Sequence, residues 1–499
     1  MISCSQCFGG VRTMLLIMLI LLLISCDSPP PDGPPNLVLI SIDGLRADHV
    51  GIHGRTPSPT PTLDALAKDG LVFSQSFSQG NESLYSHAAM FTGRHVSEVA
   101  APDYRTYTIP DSVLLVSEVL SLYGYQTAAF LAGGHVHAAY GFEQGFSHFD
   151  DSAHFGSFFN KVPSALGWLD DREDTAPFFL ILHGYDCHRP YAHPGAFFHI
   201  FGADYDGDVD EILTDRQGTE KVFGGVFYED FSLDHFAHEA GDLILDPEGY
   251  LRLGEWADGR EGQRMSEVDL NHIEDHYDSG VFSADLQIGR FLEGLEKRGL
   301  LENTLVLITS DHGEDLGDHG IYNHRITLTD STTRVPMLLV GDVIPEALQG
   351  TTKSELTQAI DVVPTLLSAA GATMPAGLNG RDLLSDAQAP AVVFQEGVLD
   401  MIAARSPTHR LLFQGVPLTF PYFDLALRTT LPDSRHFILY DLRDDPDERV
   451  NVAAQQPEVV ETLRAEMLVW WQGMDRSDHR GSQPTDATFR EILRARGYW

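Results

Sequence analysis

Thr304-Leu305-Val306-Leu307-Ile308-Thr309-Ser310-Asp311-His312-Gly313 runs through six apolar or β-branched residues and then turns polar at Ser310-Asp311-His312. A near-continuous apolar run of this length reads as a strand buried on both faces, as in a parallel sheet. Asp311 and His312 then stand at its carboxyl end, where open α/β sheets bind ligands. Carboxylate oxygen beside imidazole suits a divalent metal. Leu37-Val38-Leu39-Ile40-Ser41-Ile42-Asp43 has the same shape and also ends in an acid. Two parallel strands with acids at the same end can aim both at one ion. Taken singly, each acid would more often cap a turn.

Outward from these runs, Leu63–Ala67 and Val113–Leu122 read as helices. Leu71–Phe77, Thr127–Leu131 and Phe178–Leu182 read as strands, the last ending at His183. Asn81–Ser86 reads as a polar turn, with a helix starting at His87. Residues 199–275 are acidic, Gly-rich and weakly periodic, which predicts an insertion over one face. Its Asp204, Asp206, Asp208 and Asp210 miss the EF-hand pattern, because Gly207 is misplaced and the bidentate Glu is missing. Helical periodicity returns at Asp278 and carries Ala284, Ile288, Phe291, Leu292 and Leu295 on one face. Val335–Val340 is a further strand and Val362–Ala370 a helix. After about residue 390, short strands give way to a helix opened by Pro457. The fold class is therefore α/β: a doubly wound, mostly parallel sheet over 36–385, a smaller α+β unit over 386–475, and a tail helix over 476–499.

The chain has 499 residues and a net charge of −39, a field that repels nucleic acid and forces any anionic substrate into a local cationic pocket. Four cysteines occur, at 4, 7, 26 and 187. The apolar run Met14–Ile24 is short for a bilayer span and suits a signal peptide over 1–25, with Arg12 as its charged head. Leu23-Ile24-Ser25-Cys26 is similar to a bacterial lipobox, which implies lipid on Cys26 and a cell-envelope, extracytoplasmic location. The Pro-rich stretch 26–35 would then be a stiff spacer.

Several other side chains carry possible chemistry. Ser83 lies close to a helix start, a setting that favours an anion or a nucleophile losing its proton, although a Ser there is more often a cap. Asp186-Cys187-His188-Arg189-Pro190-Tyr191 follows a strand, and His188 there fits a general acid. Gly134-His135-Val136-His137 sets two imidazoles on one side of an extended segment, and Asn323-His324-Arg325 offers a further cation pair.

Five passages together resemble the sulfatases of the alkaline phosphatase superfamily. They are Leu39–Asp48, Thr60–Ala67, Ala88–Arg94, Asn303–Glu314, and the pair Asp361–Leu367 with Leu439–Pro446. The resemblance implies Asp43, Asp311, His312 and Ser83 as metal ligands and Ser83 as nucleophile. It implies His137 and His188 as catalytic histidines, and calcium as the ion, although His312 suits manganese or zinc equally. The substrate implied is a sulfated small molecule or glycan. The chain also departs from the family. Where Cys/Ser-x-Pro-x-Arg is expected it has Ser83-Leu84-Tyr85-Ser86-His87. Gly44 stands where many members carry a second acid, and His135 and His324 stand at or near lysine positions. His87, His135 and His324 are thus substrate-binding candidates in place of permanent cations, which predicts weaker anion binding above neutral pH. An unmodified Ser83 also fits a phosphatase, phosphodiesterase or phospho-group transferase of the same superfamily. A third reading is a lipoprotein that binds without catalysis.

Overall fold

The two apolar runs pair directly. In a computed structural model of the protein, β1 (Asn36–Ile42) lies parallel to β6 (Thr304–Ser310) in register from Asn36–Thr304 to Ile42–Ser310. The structure describes residues 33–475 except stretches of up to eight residues and the longer intervals 208–242, 254–262 and 414–436. Residues 1–32, on which the expected signal peptide, the lipidation of Cys26 and most of the expected spacer fall, and the 476–499 tail lie outside the described residues, as does most of 199–275. The chain divides into two compact units, Met1–Pro34 and Pro35–Trp499. Among the described residues, no helix is long and apolar enough to cross a membrane.

β1 is central to an eight-stranded sheet. The other strands are β2 (Leu71–Phe73), β3 (Gln126–Phe130), β4 (His148–Asp150), β5 (Phe178–Gly184), β7 (Met337–Val340) and β8 (Thr351–Lys353), in the order β8-β2-β7-β6-β1-β5-β3-β4. β6, β1, β5, β3 and β4 run parallel, and β7 is antiparallel to its neighbours β6 and β2. Alternation along a strand sends successive side chains to opposite faces. Leu37 and Leu39 accordingly join one core with helices α1 (Ser83–Thr92) and α4 (Val362–Ala369). Val38 and Ile40 join a second core with α2 (Phe158–Asp170) and α3 (Glu267–Lys297). Both faces are covered, which is why the strands read as unbroken apolar runs.

Two boundaries differ from the sequence reading. α1 begins at Ser83, not His87, because Glu82 caps it: its carboxylate accepts the Leu84 N–H at 2.9 Å. α3 begins at Glu267, inside the stretch read as insertion, because Ser266 and Asp269 form a capping box. The insertion also contributes Leu243–Leu245, whose backbone pairs with Ile321–Asn323 immediately before His324. A separate antiparallel sheet follows, made of β9 (Val393–Gly397), β10 (Met401–Arg405), β11 (His409–Phe413) and β12 (Phe437–Asp441). Helix α5 (Pro457–Gly473) packs Val460, Leu463 and Met467 against it.

Candidate active site and metal centre

Parallel register brings the acids together. Ile42 lies opposite both Ser310 on β6 and Gly184 on β5, so Asp43, Asp311 and the end of β5 share one edge. The Gly44 N–H donates to Asp311 Oδ1 at 3.1 Å, and Gly44 has φ +72°, a backbone that suits glycine better than an acid. Asp43 and Asp311 are fully buried. Asp43 Oδ1 and Asp311 Oδ2 have no hydrogen-bond partner.

His312 completes the donor set. Its Nδ1 lies 2.8 Å from Gly313 O, and a carbonyl only accepts, so Nδ1 carries the proton. Nε2 is then a lone pair, 3.4 Å from Asp311 Oδ2 and 3.8 Å from Asp43 Oδ1. Two buried carboxylate oxygens and a bare imidazole nitrogen converge with no hydrogen between them, which is unfavourable without a cation. The atoms of Asp43, Asp311 and His312 lie within 4.8 Å of one another, so the residues present fit a divalent ion. Burial and the facing Asp311 push the Asp43 carboxyl up. Asp311 is held below the usual range, its burial outweighed by His312, His87 and His183.

Ser83 Oγ stands at this centre. It donates to Asp43 Oδ2 at 3.0 Å and lies 3.3 Å from His312 Nε2. Its place at the N-terminus of α1 adds the positive end of the helix dipole.

His183 and His87 support the carboxylates. The Ala132 N–H points at His183 Nδ1 at 3.4 Å, leaving Nε2–H to donate to Asp43 Oδ2 at 3.3 Å. His87 Nδ1–H donates to Ser83 O at 2.8 Å, and Nε2 faces Ser41 Oγ at 3.0 Å. His87, His183 and Asp311 also group closely enough to suggest a second ion. The Nε2–H of His183 on Asp43 and the Nδ1–H of His87 on Ser83 O instead make the two histidines donors that hold the first donor set. Neither His183 nor Glu82 stood out in the sequence. A histidine ending a strand and an acid before a helix carry no local signature, and their partners are 140 and 243 residues away.

The remaining predicted residues form a wall around Ser83. Glu82 Oε1 pairs with His135 Nδ1 at 2.5 Å and with Arg325 Nη2 at 3.2 Å. Those contacts outweigh burial and hold Glu82 down at about 2. His324 stacks on His312 with centroids 4.2 Å apart, and its Nδ1 reaches Glu314 Oε2 at 3.2 Å. His188 lies 5.1 Å from the His324 ring, and its Nδ1–H donates to Arg189 O at 2.6 Å. Burial drives His188 down to about 3, and it also lowers His87 and His324. His87 and His324 therefore act as neutral donors near neutral pH, not as the partly charged stand-ins for lysine that their sequence positions suggested. His137 is spent on its own loop: Nδ1 accepts the Ala139 N–H at 2.9 Å and Nε2 contacts Asp151 at 3.1 Å. That loop needs glycine at 134, where φ is +64° and a Cβ would sit 2.1 Å from Tyr185 Oη.

Known proteins carry the same architecture. A model of the sulfatase family matches residues 35–372. An N-acetylglucosamine-6-O-sulfatase of Bacteroides thetaiotaomicron is 24% identical over 426 residues, which cover 74% of this chain and 74% of that protein. A structure solved in complex with its substrate D-glucosamine-2-N,6-O-disulfate has the same fold, with TM-score 0.66 and 19% identity over 91% of this chain and 100% of that one. The phosphonate monoester hydrolase of Agrobacterium radiobacter has it too, with TM-score 0.64 and 19% identity over 89% of this chain and 96% of that one. The chain belongs to the sulfatase family, the sulfuric ester hydrolases of the alkaline phosphatase superfamily.

Proposed function

We propose that the protein is a metal-dependent sulfuric ester hydrolase with Ser83 as nucleophile, acting on a sulfated small molecule or glycan outside the cytoplasm. The observation that carries this reading is Ser83 Oγ, 3.0 Å from Asp43 and 3.3 Å from His312, beside two buried carboxylate oxygens without partners. Asp43, Asp311, His312 and Ser83 would hold the ion. When bound, a divalent cation supplies charge for the ester's non-bridging oxygens and lowers the proton affinity of the Ser83 hydroxyl. The donor set suits calcium, manganese or zinc.

The chain's own residues do the rest. Asp43 Oδ2 accepts the Ser83 hydroxyl hydrogen and so aligns Oγ for attack on sulfur. Arg325, held by Glu82, keeps its charge at any working pH and faces the ester's anion. His188 stands on the leaving-group side. Its low proton affinity means that the ester's negative charge must sit beside it before it can donate. Two of the proteins named above are the N-acetylglucosamine-6-O-sulfatase and the one solved with D-glucosamine-2-N,6-O-disulfate, which supports a sulfated sugar here. A lipid on Cys26 would anchor the enzyme to the envelope.

Unmodified Ser83, with Tyr85 and His87 beside it, favours a second reading, hydrolysis of a phosphoric or phosphonic ester. A phosphorylated serine is released by water more readily than a sulfated one. The deciding assay is a panel of aryl sulfate, aryl phosphate and aryl phosphodiester with added calcium or manganese. Sulfate preference, reduced at least roughly 10³-fold by Ser83→Ala, is the expected result. Preference for a phosphorus ester would transfer the protein to the second reading, and no turnover with no bound metal would sink both.

A further inference from the structure

Phe155 lies between β4 and α2 with φ +45°, a left-handed backbone that strains a non-glycine residue. Its neighbours over-determine that strain. The Gly156 N–H donates to Ala132 O and Gly156 O accepts from the Tyr185 N–H, both at 2.9 Å, and the Phe158 N–H donates to Asp186 at 2.8 Å. The loop is thus tied to the segment that carries His188. Its strain holds outward a large aromatic side chain that is 41% exposed.

The ring stacks on His188 at 5.9 Å with an interplanar angle of 29°, and Tyr185 meets it edge-on at 5.0 Å. His188 in turn neighbours His324 at 5.1 Å, and His324 stacks on His312 at 4.2 Å. Phe155, His188, His324 and His312 therefore form a row of rings from an exposed position down to the nucleophile. The inner members supply polar atoms; Phe155, at the outer end, offers only an apolar π-face.

We propose that Phe155 is the outer wall of a leaving-group subsite, where a cyclic leaving group, an aryl ring or the apolar face of a pyranose, stacks while its ester oxygen reaches Ser83 and His188. The inference rests on the hydrolase reading above and adds the chemical class of the group that leaves. It makes Phe155 a specificity-determining residue, which recognises shape and polarizable surface but not charge.

The test is calorimetric binding of two anions that share a sulfonate head, benzenesulfonate and methanesulfonate, to the metal-loaded full chain. Phe155→Ala should weaken benzenesulfonate about five- to tenfold and methanesulfonate less than twofold, with KM for an aryl ester rising in step. Phe155→Gly, which adopts φ +45° without strain, should give the same split with unchanged thermal stability. Phe155→Trp should restore benzenesulfonate affinity. Equal losses for both anions would show that Phe155 only orders the His188 loop, and no loss for either would remove the subsite; both overturn the proposal. Failure of the wild type to turn over any ester, with the benzenesulfonate split intact, would count against the hydrolase reading alone.

Discussion

The edge of the parallel sheet and the foot of the antiparallel sheet both bury charge, and they treat it in opposite ways. On β11, Arg410 is fully buried and meets opposite charge on two sides, although its Nε and the facing Glu448 Oε1 are an ion pair without an aligned hydrogen bond. It reaches Gln395 at 2.7 Å, Asp330 and Leu328 O at closer range, and Glu448 at 2.6 Å. At the other site, Asp43 and Asp311 each keep an oxygen that accepts no hydrogen bond among the described residues. One network closes opposite charges on one another within the protein; the other sets two carboxylates face to face, an arrangement that suits a cation. Unpaired buried charge is thus the better marker of chemistry, and a count of buried charges alone would rank the two sites equally.

The sharpest attempt to break this contrast is Arg410→Met. It strands Glu448, leaves Asp330 to Arg405 alone, and should cost about 3–5 kcal/mol in denaturant unfolding. Adding Glu448→Gln should return part of that loss, because burial already pushes Glu448 up to about 7. A loss below 1 kcal/mol would mean that the network is not closed.

Asp43→Asn should do the reverse. In chelator it removes the clash of two facing carboxylates and should stabilise the fold by roughly 1–2 kcal/mol, while abolishing turnover. With metal added, the wild type should gain stability and the variant should not. Destabilisation in chelator would refute the claim that the chain leaves these oxygens unanswered.

The smallest effect concerns a third solution, giving up the charge. His95 meets Trp470 edge-on at 5.1 Å, and burial lowers it from 6.5 to about 3. Its folded value lies below its unfolded one, so its contribution is whole above about 6.5 and is lost as pH falls toward about 3. His95→Leu should therefore reduce the fall in Tm between pH 7 and pH 5 by about 2–4 °C. An unchanged slope would show that His95 takes up a proton in the folded state.

The sequence made the ends of β1 and β6 legible because burial on both faces leaves an unbroken apolar run that stops at an acid. Ser83 was legible as a candidate but not as the first residue of α1, since Ser83-Leu84-Tyr85-Ser86 has the composition of a turn and the Glu82 cap acts through its side chain. His183 and Glu82 were not legible as parts of the site, and Arg325 only as half of a possible cation pair. Each is placed by partners far along the chain, and a folded sheet, not a local pattern, makes them neighbours. His137 illustrates the converse: its position matched a motif, and in this structure its Nδ1 accepts from its own turn while its Nε2 faces Asp151.

Glu82 performs two duties at once, capping the nucleophile's helix and clamping His135 and Arg325. In evolutionary terms this couples traits that selection would otherwise tune apart. A substitution that alters the grip on the substrate's anion also frays the turn that aims the nucleophile, so most paths to new substrates through this wall are closed. The exposed ring of Phe155 carries no such double burden. A directed-evolution library should hold 82–87 fixed and vary position 155, where substrate choice can drift with little cost to the chemistry.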